Sequence, residues 1–124
     1  MDVVYPENGG HVISWNENLG GGNFAAHQVL ISTFGPSCMT TSDMDNDNDS
    51  DLVVALYGQD KVVWYENLGL VSFGPEQIVT EIQQVQDVHC ADFDNDGDND
   101  VLSLSSVLDL VCWNESYYYN NTKI

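Results

Sequence analysis

Two nine-residue stretches, Asp43-Met44-Asp45-Asn46-Asp47-Asn48-Asp49-Ser50-Asp51 and Asp92-Phe93-Asp94-Asn95-Asp96-Gly97-Asp98-Asn99-Asp100, each carry five aspartates on alternate residues. Together they hold half of the chain's 20 acidic residues. Carboxylates at this density repel one another, and bringing them together is costly unless a cation sits among them. The pattern predicts two calcium sites, because calcium takes about six to eight oxygen ligands and a chain that wraps it offers side chains from alternate positions plus a carbonyl. In the first loop the ligands are Asp43, Asp45, Asp47, the carbonyl of Asp49, and Asp51. In the second they are Asp92, Asp94, Asp96, the carbonyl of Asp98, and Asp100. Gly97 suits the sharp turn at the sixth position, where φ is positive, and Asn48 holds that place in the first loop because asparagine enters the left-handed region more readily than most residues.

Rival chemistries fit less well. An EF-hand needs a bidentate glutamate at its twelfth position, where this chain has Val54 or Ser103, and helices on both sides. No His or Cys lies in either loop, which argues against zinc, and magnesium resists so complete a protein cage. A glycosidase pair needs one raised pKa and a gap of roughly 5 to 9.5 Å across a cleft, which five acids on one tight loop do not offer. A solvated acidic turn is the plainest alternative, and the duplication in one register weighs against it.

That duplication runs beyond the loops. Asp43 and Asp92 are 49 residues apart, and at the same offset Trp15 meets Trp64 and Trp113, Glu17 meets Glu66 and Glu115, Asn18-Leu19-Gly20 meets Asn67-Leu68-Gly69, and Phe24 meets Phe73. Asp2 lies 49 residues before Asp51, which makes it the last ligand of a preceding loop and, if the chain is a fragment, part of a third site. Phe34-Gly35-Pro36 and Phe73-Gly74-Pro75 stand 39 apart, out of step with the rest, and are read as a chance match. A period of roughly 20 to 50 residues marks stacked supersecondary units.

The elements that position the loops read as strands. Val12 to Glu17 and Val62 to Glu66 precede Asn-x-Gly turns; Phe24 to Ile31 and Phe73 to Thr80 follow them; Cys38 to Ser42 and Val85 to Ala91 enter the acidic loops; Leu52 to Tyr57 and Val101 to Ser105 leave them. No window repeats at 3.6 residues, so helix should be nearly absent. Four short antiparallel strands per repeat predict an all-β partial β-propeller of about 2.5 blades. Its domain, 1–116, divides into an incomplete blade 1–36, a full repeat 37–85 and an incomplete blade 86–116, followed by a divergent tail 117–124. Propellers close with about 4 to 8 blades, so further blades are expected from a longer chain or from self-association. The recurring tryptophans are expected to pack between blades rather than to stack on sugars.

Composition narrows function. Lys61 and Lys123 alone oppose the acids, leaving a net charge of -18. This argues against nucleic acid and anionic membranes as partners. No apolar run approaches the roughly 20 residues of a membrane helix, and no export signal is present in these residues. Cys38, Cys90 and Cys112 occupy non-equivalent repeat positions without metal spacing and read as buried thiols, with no disulfide required. His11, His27 and His89 receive no role. Asn114-Glu115-Ser116 and Asn120-Asn121-Thr122 are glycosylation sequons.

The D-x-D-x-D-G-x-x-D loop, its following aliphatic strand, and the W-x-E-N-x-G stretch with a downstream Phe resemble the FG-GAP/VCBS-type repeat of calcium-loaded β-propellers, including integrin α-chain heads, over residues 2 to about 115. The Gly-Ala-Pro half of the motif is missing after Phe73-Gly74, and Phe24 is followed by Ala25. The resemblance implies a calcium-rigidified propeller of secreted or cell-surface proteins, used for adhesion or as a protein-interaction scaffold with a protein or glycan ligand, and not itself an enzyme. The alternatives are the scaffold part of a secreted polysaccharide-active enzyme and a calcium-dependent carbohydrate-binding module.

Overall fold

Runs of Val, Leu, Ile and aromatic residues broken by Gly, Asn and Asp favour short strands joined by tight turns. The computed structural model describes residues 1–7, 9 and 11–115 and contains fourteen of them. They are β1 (Val3–Glu7), β2 (Val12–Asn16), β3 (Asn18–Gly20), β4 (Asn23–Phe24), β5 (Gln28–Ser32), β6 (Pro36–Ser42), β7 (Asp51–Leu56), β8 (Lys61–Tyr65), β9 (Asn67–Gly69), β10 (Ser72–Phe73), β11 (Gln77–Glu81), β12 (Asp87–Ala91), β13 (Asp100–Ser105) and β14 (Leu110–Asn114). Among the described residues the only helical turn is a 3-10 turn at Tyr57–Gln59.

Three antiparallel sheets follow the repeat. The middle one is four-stranded in the order β11-β8-β7-β6; β1-β2-β5 matches its outer three strands, and β12-β13-β14 its inner three. The fold is therefore all-β and a partial propeller, and among the described residues its sheets do not close into a ring. The tail 117–124 and the Asn120 sequon lie outside the described residues.

One expectation needs correction. Phe24 to Ile31 and Phe73 to Thr80 are not single strands, because each begins in a small two-stranded hairpin, β3-β4 or β9-β10, set apart from the main sheet. The cause is local. The side-chain oxygens of Asn18 and Asn67 accept from the N–H groups of Gly20 and Gly69 at 2.8 and 2.9 Å, and both glycines hold positive φ, 84° and 80°. This Asn-x-Gly turn folds the chain back before the fourth strand starts.

The sheets stack through side chains that alternate along β7 and β8. Val53, Ala55, Val62 and Trp64 face the third sheet and form a core with Met44, Ile82, Val85, Val88 and Val101. Leu52, Val54, Leu56, Val63 and Tyr65 face the first sheet and pack with Ile13, Val4, Leu30 and Phe73. A strand covered on both faces reads as a continuous apolar run, and every residue of β7 is buried. The strands leading into the acidic loops, β6 and β12, are neighbours in space.

Equivalent residues of the repeat differ sharply in burial. Trp64 is 1% exposed, whereas Trp113, at the outward face of the third sheet, is 53% exposed and Trp15 is half-buried. Packing between blades thus describes Trp64, while Trp113 faces solvent. The cysteines are half-buried rather than buried: all three are free thiols at the edge of the second interface. Phe34-Gly35-Pro36 and Phe73-Gly74-Pro75 play different parts. Phe34 stacks on His11, and Gly35 abuts Gly58 so closely that a side chain would collide with it. Phe73 packs between the first two sheets.

Candidate metal centre

Each acidic loop joins an inner strand to the next one outward, β6 to β7 and β12 to β13. The two loops share one internal geometry. Asp43 Oδ1 and Asp92 Oδ1 accept from the N–H of Asp47 and Asp96, both at 3.1 Å. Their Oδ2 atoms accept from Asn48 and Gly97, both at 3.0 Å. The N–H of Asp49 and of Asp98 donates to Asp47 and Asp96 at 2.8 and 3.0 Å. At the base, Asp51 Oδ2 and Asp100 Oδ2 accept from Met44 and Phe93 at 2.8 and 3.0 Å.

Positive φ at Asn48 (72°) and Gly97 (97°) is what the turn at the sixth position requires. Asn46 and Asn95 also take positive φ, 62° in each loop, a second left-handed point that alternation of aspartates did not reveal. Asparagine enters this left-handed region more readily than most residues.

Carboxylate oxygens converge as a result. One from each of Asp92, Asp94 and Asp96 lie within 4.8 Å of one another, as do those of Asp43, Asp45 and Asp51. A third group joins Asp45 and Asp47 to Glu66, which follows β8. Glu66 was not among the expected ligands; its recurrence with Glu17 and Glu115 in the 49-residue register is the one signal in the sequence that could have found it. The side chains of Asp49, Asp98 and Asp100 stay out of these groups. For Asp49 and Asp98 this accords with a carbonyl contribution at the seventh position. Asp100 is buried and spends an oxygen on the loop's own backbone.

Asp51 is the hinge of the first loop. It is fully buried, and besides Met44 it accepts from the N–H of Asn67 at 2.8 Å, tying the loop to the Asn-x-Gly hairpin. Asn67 Nδ2 adds a bond to the carbonyl of Ser50 at 3.0 Å. Asp2 repeats the first contact in its own blade, accepting from the N–H of Asn18 at 2.9 Å.

Gathered carboxylates without a counterion resist ionisation. Desolvation, then the charges of Asp51 and Asp47, push the Asp45 carboxyl up to about 6. Desolvation also raises Asp51, opposed by the N–H bonds from Asn67 and Met44. An all-oxygen donor set of converging anions fits a hard divalent cation, which would reverse both penalties. Residues Asp43, Asp45, Asp47 and Asp51, with Glu66 in reach, would hold it in the first loop, and Asp92, Asp94, Asp96 and Asp100 in the second.

A different cluster lies between β6 and β12. Cys38 Sγ donates to Asp87 Oδ1 at 3.0 Å, and His89 Nε2 pairs with Asp87 Oδ2 at 3.0 Å. The carboxylate stands between thiol and imidazole, so the imidazole does not activate the sulfur. Desolvation and the Asp87 contact raise the Cys38 pKa, keeping it a thiol, and the Cys38 bond lowers that of Asp87.

Among known proteins, residues 43–103 match the FG-GAP-like repeat. No match was found among curated proteins or among solved structures. The matched stretch opens on the first aspartate of one loop and runs through the other into β13, so it includes both loops and most of the middle sheet. Residues 43–103, which carry both loops of the 49-residue register and most of the middle sheet, are thus similar to the FG-GAP-like repeat.

Proposed function

We propose that this chain is a calcium-stiffened β-propeller segment that works outside the cell as an adhesion or protein-interaction scaffold. The FG-GAP-like repeat supports a β-propeller-type interaction scaffold. Calcium rests on one observation: two loops, separately encoded, hold the same backbone-to-carboxylate bonds and bring three carboxylate oxygens together in each. A cation there would relieve the repulsion and fix the turn between an inner strand and its neighbour, which sets the blade's shape. No catalytic role is assigned, because the clustered acids serve as ligands and the Cys38–Asp87–His89 contact lacks an activated nucleophile.

Location follows from affinity. Calcium loops of extracellular modules bind at about 10⁻⁴ to 10⁻³ M, a range that is filled outside cells and empty in resting cytosol. The partners we propose are further blades, from a longer chain or another copy, against the outward face where Val111 and Trp113 are exposed, and a protein or glycan ligand on the loops. Calorimetric titration of the chelator-stripped chain with calcium tests the metal. Two sites are expected, and one after Asp96→Ala; absence of binding, or an unchanged stoichiometry in the variant, would overturn the assignment.

A further inference from the structure

The two loops touch each other, and the contact is reciprocal. Asn46 of the first loop donates from Nδ2 to Asp98 Oδ1 of the second at 2.7 Å, and Asn99 of the second donates from Nδ2 to the carbonyl of Asp43 in the first at 3.2 Å. Each bond ends on a residue of the opposite wrapping set: Asp43 is the first position of its loop, and Asp98 is the seventh. The Asp98 side chain lies outside its own loop's group of converging carboxylates, and the residue is 3% exposed.

Resting on the calcium reading above, we infer that Asn46 and Asn99 are positioning residues that couple the two sites, so that a cation in one loop raises the affinity of the other. A metal-free loop of repelling carboxylates samples several arrangements, and closing it on a cation removes that freedom. Once the first loop is closed, Asn46 and the Asp43 carbonyl hold still, and the second loop has less to order when its own cation arrives. Linkage requires the effect to be equal in the other direction. The bonds join loops from different sheets, so the signal crosses the blade boundary without passing through the apolar core.

The repeat supplies matched controls. Asn95 holds the position of Asn46 in the second loop with the same φ, 62°, yet makes no cross-loop bond among the described residues. Ser50 holds the position of Asn99 in the first loop. Asn46→Gly therefore removes the amide and keeps the left-handed backbone, and Asn99→Ser installs a residue this loop type already carries.

The test is a calcium titration of the chelator-stripped full chain, read by calorimetry for stoichiometry and cooperativity. Unaltered protein should bind two ions with positive cooperativity, the second about fivefold or more tighter than an independent site. Asn46→Gly/Asn99→Ser should still bind two ions, now independently, and Asn95→Gly should remain cooperative. Independent sites in the unaltered chain, or undiminished cooperativity in the double variant, would overturn the coupling and leave the calcium sites standing. Failure of the unaltered chain to bind calcium would overturn both. Should the double variant not fold without metal, Asn99→Ser alone carries the test, with reduced cooperativity expected and unchanged cooperativity contrary to it.

Discussion

Replacing Trp64 by alanine is expected to cost about 3–5 kcal/mol of folding free energy, the usual range for deleting a large buried aromatic side chain. Trp64 is 1% exposed and lies between the second and third sheets against Met44, Val85, Val88 and Val101. The cavity would fall where β7 and β8 meet the neighbouring blade, and strands pinned on both sides have little freedom to collapse into it. Trp113 occupies the same place in the repeat but is 53% exposed. Its truncation removes roughly half the buried surface and opens no enclosed cavity, so about 1 kcal/mol or less is expected. Urea denaturation of both variants in calcium, followed by far-ultraviolet circular dichroism, measures the difference directly. Equal losses in the two variants would refute the reasoning, since they would mean that Trp113 is covered in solution or that Trp64 is not.

Three further outcomes follow from the loops and the interface. In the metal-stripped chain the Asp45 carboxyl is pushed up to about 6 from the ordinary 3.8, so its contribution to stability is present below about pH 4 and is lost as pH rises to 6; the urea midpoint should fall between pH 4 and pH 6, Asp45→Asn should flatten that slope, and a midpoint that rises across the window would contradict it. Asp51→Ala should destabilise the metal-free chain by about 2–4 kcal/mol, because the N–H groups of Met44 and Asn67 lose their charged acceptor, and a metal-free midpoint within error of the parent would show that the hinge carries no stability. Ser103 is fully buried and its Oγ reaches no hydrogen-bond partner among the described residues; Ser103→Ala should therefore stabilise by about 1 kcal/mol, and a loss of stability would reveal a partner for the hydroxyl.

Much of the architecture was legible because it is local. A fixed 49-residue register, alternating aspartates, Asn-x-Gly turns and β-branched runs each act over a few residues, so they announce strands, turns and metal-wrapping loops before any tertiary contact is known. The carboxylates at the first, third and fifth positions are gathered while the loop's own N–H groups bind them, and that too is a short-range property. The hairpins β3-β4 and β9-β10 were missed for a matching reason. An apolar strand and a two-residue hairpin arm look alike in composition, and only the hydrogen bonds of Asn18 and Asn67 decide where the chain turns back.

What depended on how the blades stack was beyond reach of any pattern along the chain. Three tryptophans in equivalent positions are indistinguishable in sequence, yet one is buried, one half-buried and one exposed, because burial is set by which sheet lies opposite. Cys38 finds Asp87 across 49 residues, and Asn46 finds Asp98 across 52. Residue order specifies each blade through interactions only a few residues in range. The angle and distance between blades, on which every one of those longer contacts depends, arise from the summed packing of two apolar faces.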